Sequence, residues 1–211
     1  MADQRLVNLL ERLKDEEKVA YEQLREDRLF SKIPLEEHKE IIKYALDTGR
    51  QTADKLAERF SSREPFMLAQ KLKIKIVIDS SKKYQRGGLS LRSTYQDSPP
   101  TIIIYERALQ QLENLLDKEN FPSLASLPNL LSLHIAHEIF HHLEKTEIGI
   151  VARRLEVNTF SLGPIKFSSP VRSLSEIAAH TFTQHLLNLS FSPRLLDYLS
   201  LPKLDKVSLL R

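Results

Sequence analysis

The sequence NLLSLHIAHEIFHHLE, residues 129–144, contains the pattern around which the rest of the chain is organised. Read as a helix with about 100° of rotation per residue, it separates into two faces. Relative to His137, His141 falls at about 40°, His134 at about 60° and Glu138 at about 100°. The opposite arc is apolar and consists of Ile135, Ala136, Ile139, Phe140 and Leu143. The pattern therefore predicts a helix that packs on a core with one face and carries two imidazoles, one turn apart, on the other.

Two histidines at positions i and i+4 of a helix can direct ring nitrogens at one point about 2 Å from each, which is the geometry of a zinc site. Glu138 lies beside that point without entering the coordination shell, so it is placed to take a proton from water on the metal. The alternative is an ordinary amphipathic helix with surface histidines. The helical frame, the apolar back and the stripe of polar groups favour the metal. We therefore predict Zn²⁺ on His137 and His141, with Glu138 as the catalytic base.

A catalytic zinc needs a third protein ligand, and the chain contains no cysteine. The strongest candidate is Glu176, in the first turn of the next strong predicted helix. Ser173-Leu174-Ser175-Glu176 is also an S-x-x-E capping box, which would explain this glutamate without any metal. The ligand role is favoured because the two histidines lack a better partner. His180, one turn further along, and His134 are predicted to support the ligands rather than to bind the metal.

The composition limits the classes of function that the chain can have. Its 211 residues suit one domain, or a domain with a helical extension. A net charge of +3 is too small to argue for direct nucleic-acid binding. The absence of cysteine excludes disulfides and a thiolate nucleophile. Because neither a signal segment nor a membrane span is read from the sequence, we expect a cytoplasmic protein that does not bind membranes.

The apolar periodicity predicts an α+β fold, mostly helical, with a small antiparallel or mixed sheet beside the helix of residues 129–144. Residues 1–62 are predicted to form an N-terminal helical extension, and residues 63–211 the main domain, with both in one compact unit. Helices are predicted at residues 3–29, 35–46, 52–60, 65–72, 106–116 and 173–189, and after Pro193, with Thr48-Gly49 ending the second. Strands are predicted at residues 73–79, 89–94 and 101–105, the last two forming a hairpin with a long tip, while residues 162–167 are a short strand or a loop.

The strand Thr101 to Tyr105 is predicted to lie at an edge of the sheet, flanking the metal. Pro99 and Pro100 precede it, and prolines suit an edge strand better than a sheet centre. An extended peptide substrate could pair with such a strand through its backbone. Tyr105, at the end of the strand, could offer its phenol to the developing oxyanion, although packing is the commoner fate of a tyrosine.

The two parts of the motif together resemble the ImmA/IrrE family of metallopeptidases. The family pattern is A-H-E-[LI]-x-H, then E-x-x-A-[ND]-x-F and a leucine pair. The chain has AHEIFH at residues 136–141, EIAAHTF at residues 176–182 and leucines at 186 and 187. The resemblance covers about residues 50 to 195, with a weaker upstream similarity in residues 65–76. The chain departs from the family at Phe140, usually Gly or Ser, and at His180, usually Asn or Asp.

This resemblance implies a zincin-like fold with a gluzincin-type site, in which His137, His141 and Glu176 hold zinc and Glu138 is the base. It also implies a protein or peptide substrate, such as a helix-turn-helix repressor in bacterial or phage regulation. Other H-E-x-x-H classes fit less well. A metzincin, for example, needs glycine and histidine where this chain has Glu144 and Glu147.

Two other functions remain as alternatives. The first is a regulatory or protein-binding module that keeps a zinc fold with little or no catalysis, which the altered motif surroundings and the helical first sixty residues motivate. The second is DNA binding by the helix-break-helix pattern of residues 52–72. Arginine and lysine are not clustered there, so direct DNA binding is the weaker alternative.

Overall fold

The computed structural model describes residues 11–81, 85–86, 89–116, 126–163 and 165–200. It is an α+β structure in which helices predominate, as predicted. The helices are α1 (Glu16–Arg25), α2 (His38–Phe60), α3 (Pro65–Lys71), α4 (Glu106–Glu113), α5 (Leu127–Leu143), α6 (Ser173–Leu186) and α7 (Leu195–Ser200). The strands are β1 (Lys75–Asp79), β2 (Gln85–Arg86), β3 (Leu89–Ser90), β4 (Ser93–Asp97), β5 (Pro100–Tyr105), β6 (Glu156–Leu162) and β7 (Ile165–Pro170). Within these residues, no helix is long and apolar enough to cross a membrane.

The long helix α2 packs along α6 at very close range. A Cβ atom built on Gly49 would lie 2.5 Å from the carbonyl oxygen of Ala178 and 2.9 Å from the backbone nitrogen of Phe182. Gly49 therefore allows two helices to approach and does not end one. The predicted stop at Thr48-Gly49 is wrong, because packing outweighs the low helix propensity of a single glycine. Most of residues 35–46 and 52–60 belong to one continuous helix.

The N-terminal helices share the core of the rest of the chain. Leu24 of α1 and Ala45 of α2 are fully buried in the cluster that also contains the apolar residues of α5 and α6. The helix predicted over residues 3–29 is interrupted at Asp15, whose carboxylate caps α1 by accepting from the Lys18 amide at 3.1 Å. Residues 1–10 lie outside the described residues. The division between residues 1–62 and 63–211 stays a prediction, but α2 is not a detached extension.

Strand β5 lies in the centre of a three-stranded sheet with the order β1-β5-β4. It pairs in parallel with β1 and antiparallel with β4, and its Ile102 and Ile104 are fully buried. The predicted edge position of residues 101–105 is therefore wrong. The prolines do not prevent a central position, because Pro99 lies in the turn before the strand and Pro100 is its first residue.

Strand β4 is an edge of this sheet within the described residues. A tight turn at Ser98-Pro99 connects it to β5, so the predicted long hairpin tip is also wrong, and the short β3 pairs with β2 instead. Alternate side chains of β4 contact α5 and the turn after it, as expected for the two-residue period of a strand. The contacts are Ser93 with Glu138 at 2.6 Å, Tyr95 with His142 at 2.8 Å and Asp97 with Lys145 at 3.0 Å. These contacts hold the sheet beside α5, as predicted.

Between α5 and α6 the chain forms a π-helical turn at Glu144–Ile148, a 3₁₀ turn at Val151–Arg154 and the hairpin β6–β7. Of residues 162–167, predicted as strand or loop, the described ones belong to this hairpin, and residue 164 lies outside the described residues. Gly163 occupies its turn with φ of +60°, a conformation that glycine adopts without strain. The remaining predicted helices and the strand at residues 73–79 are confirmed, with ends that differ by a few residues.

Candidate metal centre

Three predicted ligand residues converge at one point between α5 and α6. The Nε2 atoms of His137 and His141 are 3.2 Å apart. The carboxylate oxygens of Glu176 lie 3.4 Å from Nε2 of His137 and 3.6 Å from Nε2 of His141. A tetrahedral zinc with bonds of about 2.0–2.1 Å would separate its ligand atoms by about 3.3–3.4 Å. The donor set and its spacing therefore fit a tetrahedral metal ion such as zinc.

Glu176 is free to face the two imidazoles because it does not cap its own helix. The backbone N–H of Ser173, which the capping box would assign to Glu176, donates to Oδ2 of Asp27 at 2.9 Å. Asp27, in the loop after α1, thus caps α6 in place of Glu176. The structure excludes the capping-box interpretation, and it leaves the carboxylate of Glu176 beside His137 and His141.

A third acidic residue, Glu144, was not predicted to take part in the site. It directly follows α5, it is only 4% exposed, and its Oε2 accepts a hydrogen bond from Nδ1 of His141 at 2.9 Å. With the proton on Nδ1, the Nε2 lone pair of His141 is available on the side of the other donor atoms. The sequence did contain a signal, because a residue at i+3 from His141 lies on the same helix face.

The electrostatics of the centre favour a positive charge. Burial lowers the pKa of His141, but the hydrogen bond with Glu144 and the charges of Glu176 and Glu138 raise it more, to about 9. Burial raises the pKa of Glu176, but its hydrogen bond with His137 and the nearby imidazoles hold that pKa well below its usual range. The carboxylates thus stabilise a cation at this point, and a metal ion could supply the charge in place of a proton.

Glu138 lies between the two histidines on α5 and is only 5% exposed. Its Oε1 accepts a hydrogen bond from the hydroxyl of Ser93, the first residue of β4, at 2.6 Å. The edge strand therefore fixes one oxygen of the predicted base. Sequence reasoning missed Ser93 because the pairing of β4 with the helix is a long-range contact.

His180 lies beside the site, but its hydrogen-bond partner is Gln23 rather than a candidate ligand, so its supporting role stays a prediction. Its ring lies against the ring of His137, with 5.2 Å between the centroids, and its Nδ1 is 3.2 Å from Oε1 of Gln23 in α1. Burial lowers the pKa of His180 to about 4, so the ring is neutral at physiological pH. It is not among the residues whose donor atoms converge on the metal position.

Among the described contacts, neither His134 nor Tyr105 makes a hydrogen bond to a candidate ligand, so the roles predicted for them stay predictions. Nδ1 of His134 donates to the carbonyl of Leu130 in its own helix at 2.8 Å, and burial lowers the pKa of His134 to about 3. Tyr105 lies at the end of the central strand, where it pairs with Asp79 of β1. None of the contacts found between described residues joins Tyr105 to His137, His141 or Glu176, so its predicted oxyanion role gains no support.

Comparisons with known proteins do not identify the chain. No protein-family model, curated protein or solved structure matches it significantly. The functional argument therefore depends on the geometry and chemistry of this centre.

Proposed function

We propose that this protein is a zinc-dependent endopeptidase with a zincin-like fold, in which His137, His141 and Glu176 hold the metal. The observation that carries the proposal is the convergence of two imidazole nitrogens and one carboxylate at mutual distances of 3.2–3.6 Å. Two histidines and one glutamate with an open fourth position form the ligand set of catalytic zinc in peptidases such as thermolysin.

The residues around the metal position have the chemistry that peptide hydrolysis requires. His137, His141 and Glu176 would hold the zinc ion, which would supply a Lewis acid to polarise a carbonyl group and would lower the pKa of a bound water to about 7. Glu138 accepts a proton from the attacking water and delivers it to the leaving amine. Ser93 holds one oxygen of this carboxylate, so the other oxygen keeps a fixed direction for the proton transfer. The general base is thus positioned before the substrate binds.

The substrate is proposed to bind along β4 rather than along residues 101–105. One side of β4 pairs with β5, and no partner strand occupies its other side within the described residues. An extended peptide can add to such an edge through backbone hydrogen bonds. Because Ser93 at the start of β4 contacts Glu138, a peptide added there would run close to the catalytic base. The resemblance to the ImmA/IrrE family further suggests a cytoplasmic regulatory protein, such as a helix-turn-helix repressor, as the substrate.

Wild-type protein purified without chelators is expected to carry one zinc per chain. The variants His137→Ala, His141→Ala and Glu176→Ala should each lose the metal on dialysis, because two remaining ligands do not hold a catalytic zinc. Metal content is measured by inductively coupled plasma mass spectrometry.

The matched control for these ligand variants is His185→Ala. His185 also lies on α6, but its Nε2 contacts Glu16 at 3.2 Å, away from the metal position. This variant should keep its zinc. Wild-type protein that stays metal-free after zinc is supplied would contradict the proposal, and so would equal zinc loss in the control.

A second candidate is a regulatory module that binds zinc without turnover. The observation that favours it is the near-complete burial of Glu138, which shields the predicted base from solvent and engages one of its oxygens with Ser93. The variant Glu138→Gln distinguishes the two functions by its effect on biological activity. A catalytic protein loses its biological activity and keeps its zinc, whereas a non-catalytic module keeps both.

A further inference from the structure

The centre contains a buried carboxylate whose position needs an explanation. Glu144 follows the last residue of α5, where the helix dipole disfavours a negative charge. It is also almost completely buried, which further disfavours the charge. A carboxylate persists at such a position only if hydrogen bonds compensate for both effects. The donors that compensate belong to three different elements.

One carboxylate oxygen of Glu144 orients the imidazole ring of His141. Its Oε2 accepts from Nδ1 of His141 at 2.9 Å, which fixes the tautomer and the orientation of the imidazole. A ring held in this way presents Nε2 toward His137 and Glu176 without losing rotational freedom when a metal binds. The negative charge also makes the imidazole a stronger electron donor to a metal.

On the other side, Glu144 holds the first turn of α6. Its Oε1 accepts from the hydroxyl of Ser175 at 2.5 Å and from the backbone N–H of Val151 at 2.9 Å. The same hydroxyl accepts from the backbone N–H of Ala152 at 3.0 Å, so its own proton is directed to Glu144. Ser175 directly precedes Glu176. The contact therefore fixes the position of the helix turn that carries the third candidate ligand.

We infer that Glu144 is a positioning residue that orients His141 and Glu176 together and thereby sets the affinity of the centre for zinc. The inference rests on the proposed metal site, and it assigns to one side chain the alignment of ligands from two helices. Removal of a carboxylate hydrogen-bonded to a ligating histidine typically lowers metal affinity about 10–100-fold.

The test is Glu144→Gln, with Zn²⁺ affinity measured by competition with a chelator and the ligand geometry read from the visible spectrum of the Co²⁺-loaded protein. Glutamine can still accept from His141, but it carries no charge, and its amide nitrogen cannot accept from Val151. We expect Zn²⁺ to bind about 10–100-fold more weakly. We also expect a shifted Co²⁺ spectrum at saturating metal, which a loss of stability alone would not produce.

Ser175→Ala isolates the second half of the inference, since it removes the link to α6 and keeps the bond to His141. It should weaken Zn²⁺ binding less than Glu144→Gln does. The control is Glu147→Gln, an exposed glutamate of the same turn that pairs with Arg59 at 2.9 Å and should leave Zn²⁺ affinity unchanged.

Wild-type Zn²⁺ affinity in folded Glu144→Gln protein overturns the inference, even if zinc-dependent cleavage continues. If Glu144→Gln does not fold, Ser175→Ala tests the inference instead. Wild-type Zn²⁺ affinity and an unchanged Co²⁺ spectrum in Ser175→Ala overturn the inference. Weaker Zn²⁺ binding by Ser175→Ala supports it. Weaker binding in Glu144→Gln together with no peptide cleavage by the zinc-loaded wild type supports the inference, and it refutes only the peptidase proposal.

Discussion

Replacement of Glu138 by glutamine is expected to lower peptide cleavage by about 10²–10⁴-fold, because the amide cannot accept the proton of the attacking water. The zinc content should not change, because Glu138 is not among the three converging donors. Glutamine has the same shape, and its carbonyl oxygen can still accept from Ser93, so the fold should be preserved. Cleavage is measured on a mixture of unstructured peptides by mass spectrometry, with zinc-loaded wild type in parallel.

The companion variant is Ser93→Ala, which leaves the base in place and removes only the group that fixes it. It should retain clearly more activity than Glu138→Gln, since a mobile carboxylate can still transfer a proton. Undiminished cleavage by zinc-loaded Glu138→Gln protein would exclude Glu138 as the base and would require a different mechanism.

Replacement of Gly49 by alanine is expected to destabilise the protein by about 1–3 kcal/mol, the usual cost of forcing extra volume into a well-packed interior. The new methyl group would meet the carbonyl oxygen of Ala178 at 2.5 Å and the Cβ of Thr181 at 2.9 Å. Neither atom belongs to the end of a flexible side chain, so α2 and α6 must move apart. The free energy of unfolding is measured by urea denaturation of the metal-free protein.

The sign of the change in unfolding free energy shows whether α2 and α6 pack closely at Gly49. In an exposed helix, glycine to alanine stabilises by about 1 kcal/mol. Gln51→Ala, at an exposed position two residues further along α2, is the control and should change stability by less than about 0.5 kcal/mol. A Gly49→Ala protein as stable as wild type would show that the helices do not approach as closely as described. Because α6 carries Glu176, the same displacement should also weaken zinc binding.

The parts of the centre that lie within one helix could be predicted from the sequence. The relative positions of His137, Glu138 and His141 follow from helical geometry alone, so the face that they share needed no knowledge of tertiary structure. The assignment of Glu176 required a choice between two local interpretations. The hydrogen bond from the Ser173 N–H to Asp27 decides between the metal-ligand and the capping-box interpretations, and it connects distant parts of the chain.

The errors arose where neighbours in space decide the outcome. Alternation of side chains identifies a strand but not the strands beside it, so the sequence alone does not reveal that residues 101–105 form a central strand. The low helix propensity of Gly49 predicts a helix end, whereas the proximity of α6 explains why a glycine stands at this position within α2. Glu144 was overlooked because two of its partners, Val151 and Ser175, lie beyond the π-helical turn.

The donors of the candidate metal centre come from two segments that residues 142–175 separate, including the β6–β7 hairpin. Neither segment alone supplies the full donor set, so metal binding selects chains in which α5 and α6 are already packed. A ligand that binds only the native chain stabilises it by about 4.1 kcal/mol at a free concentration 1,000 times its Kd. In a living cell, unfolded chains are removed continuously by proteases. Zinc supply would therefore govern the abundance of this protein as well as its activity, and zinc starvation would deplete the polypeptide itself.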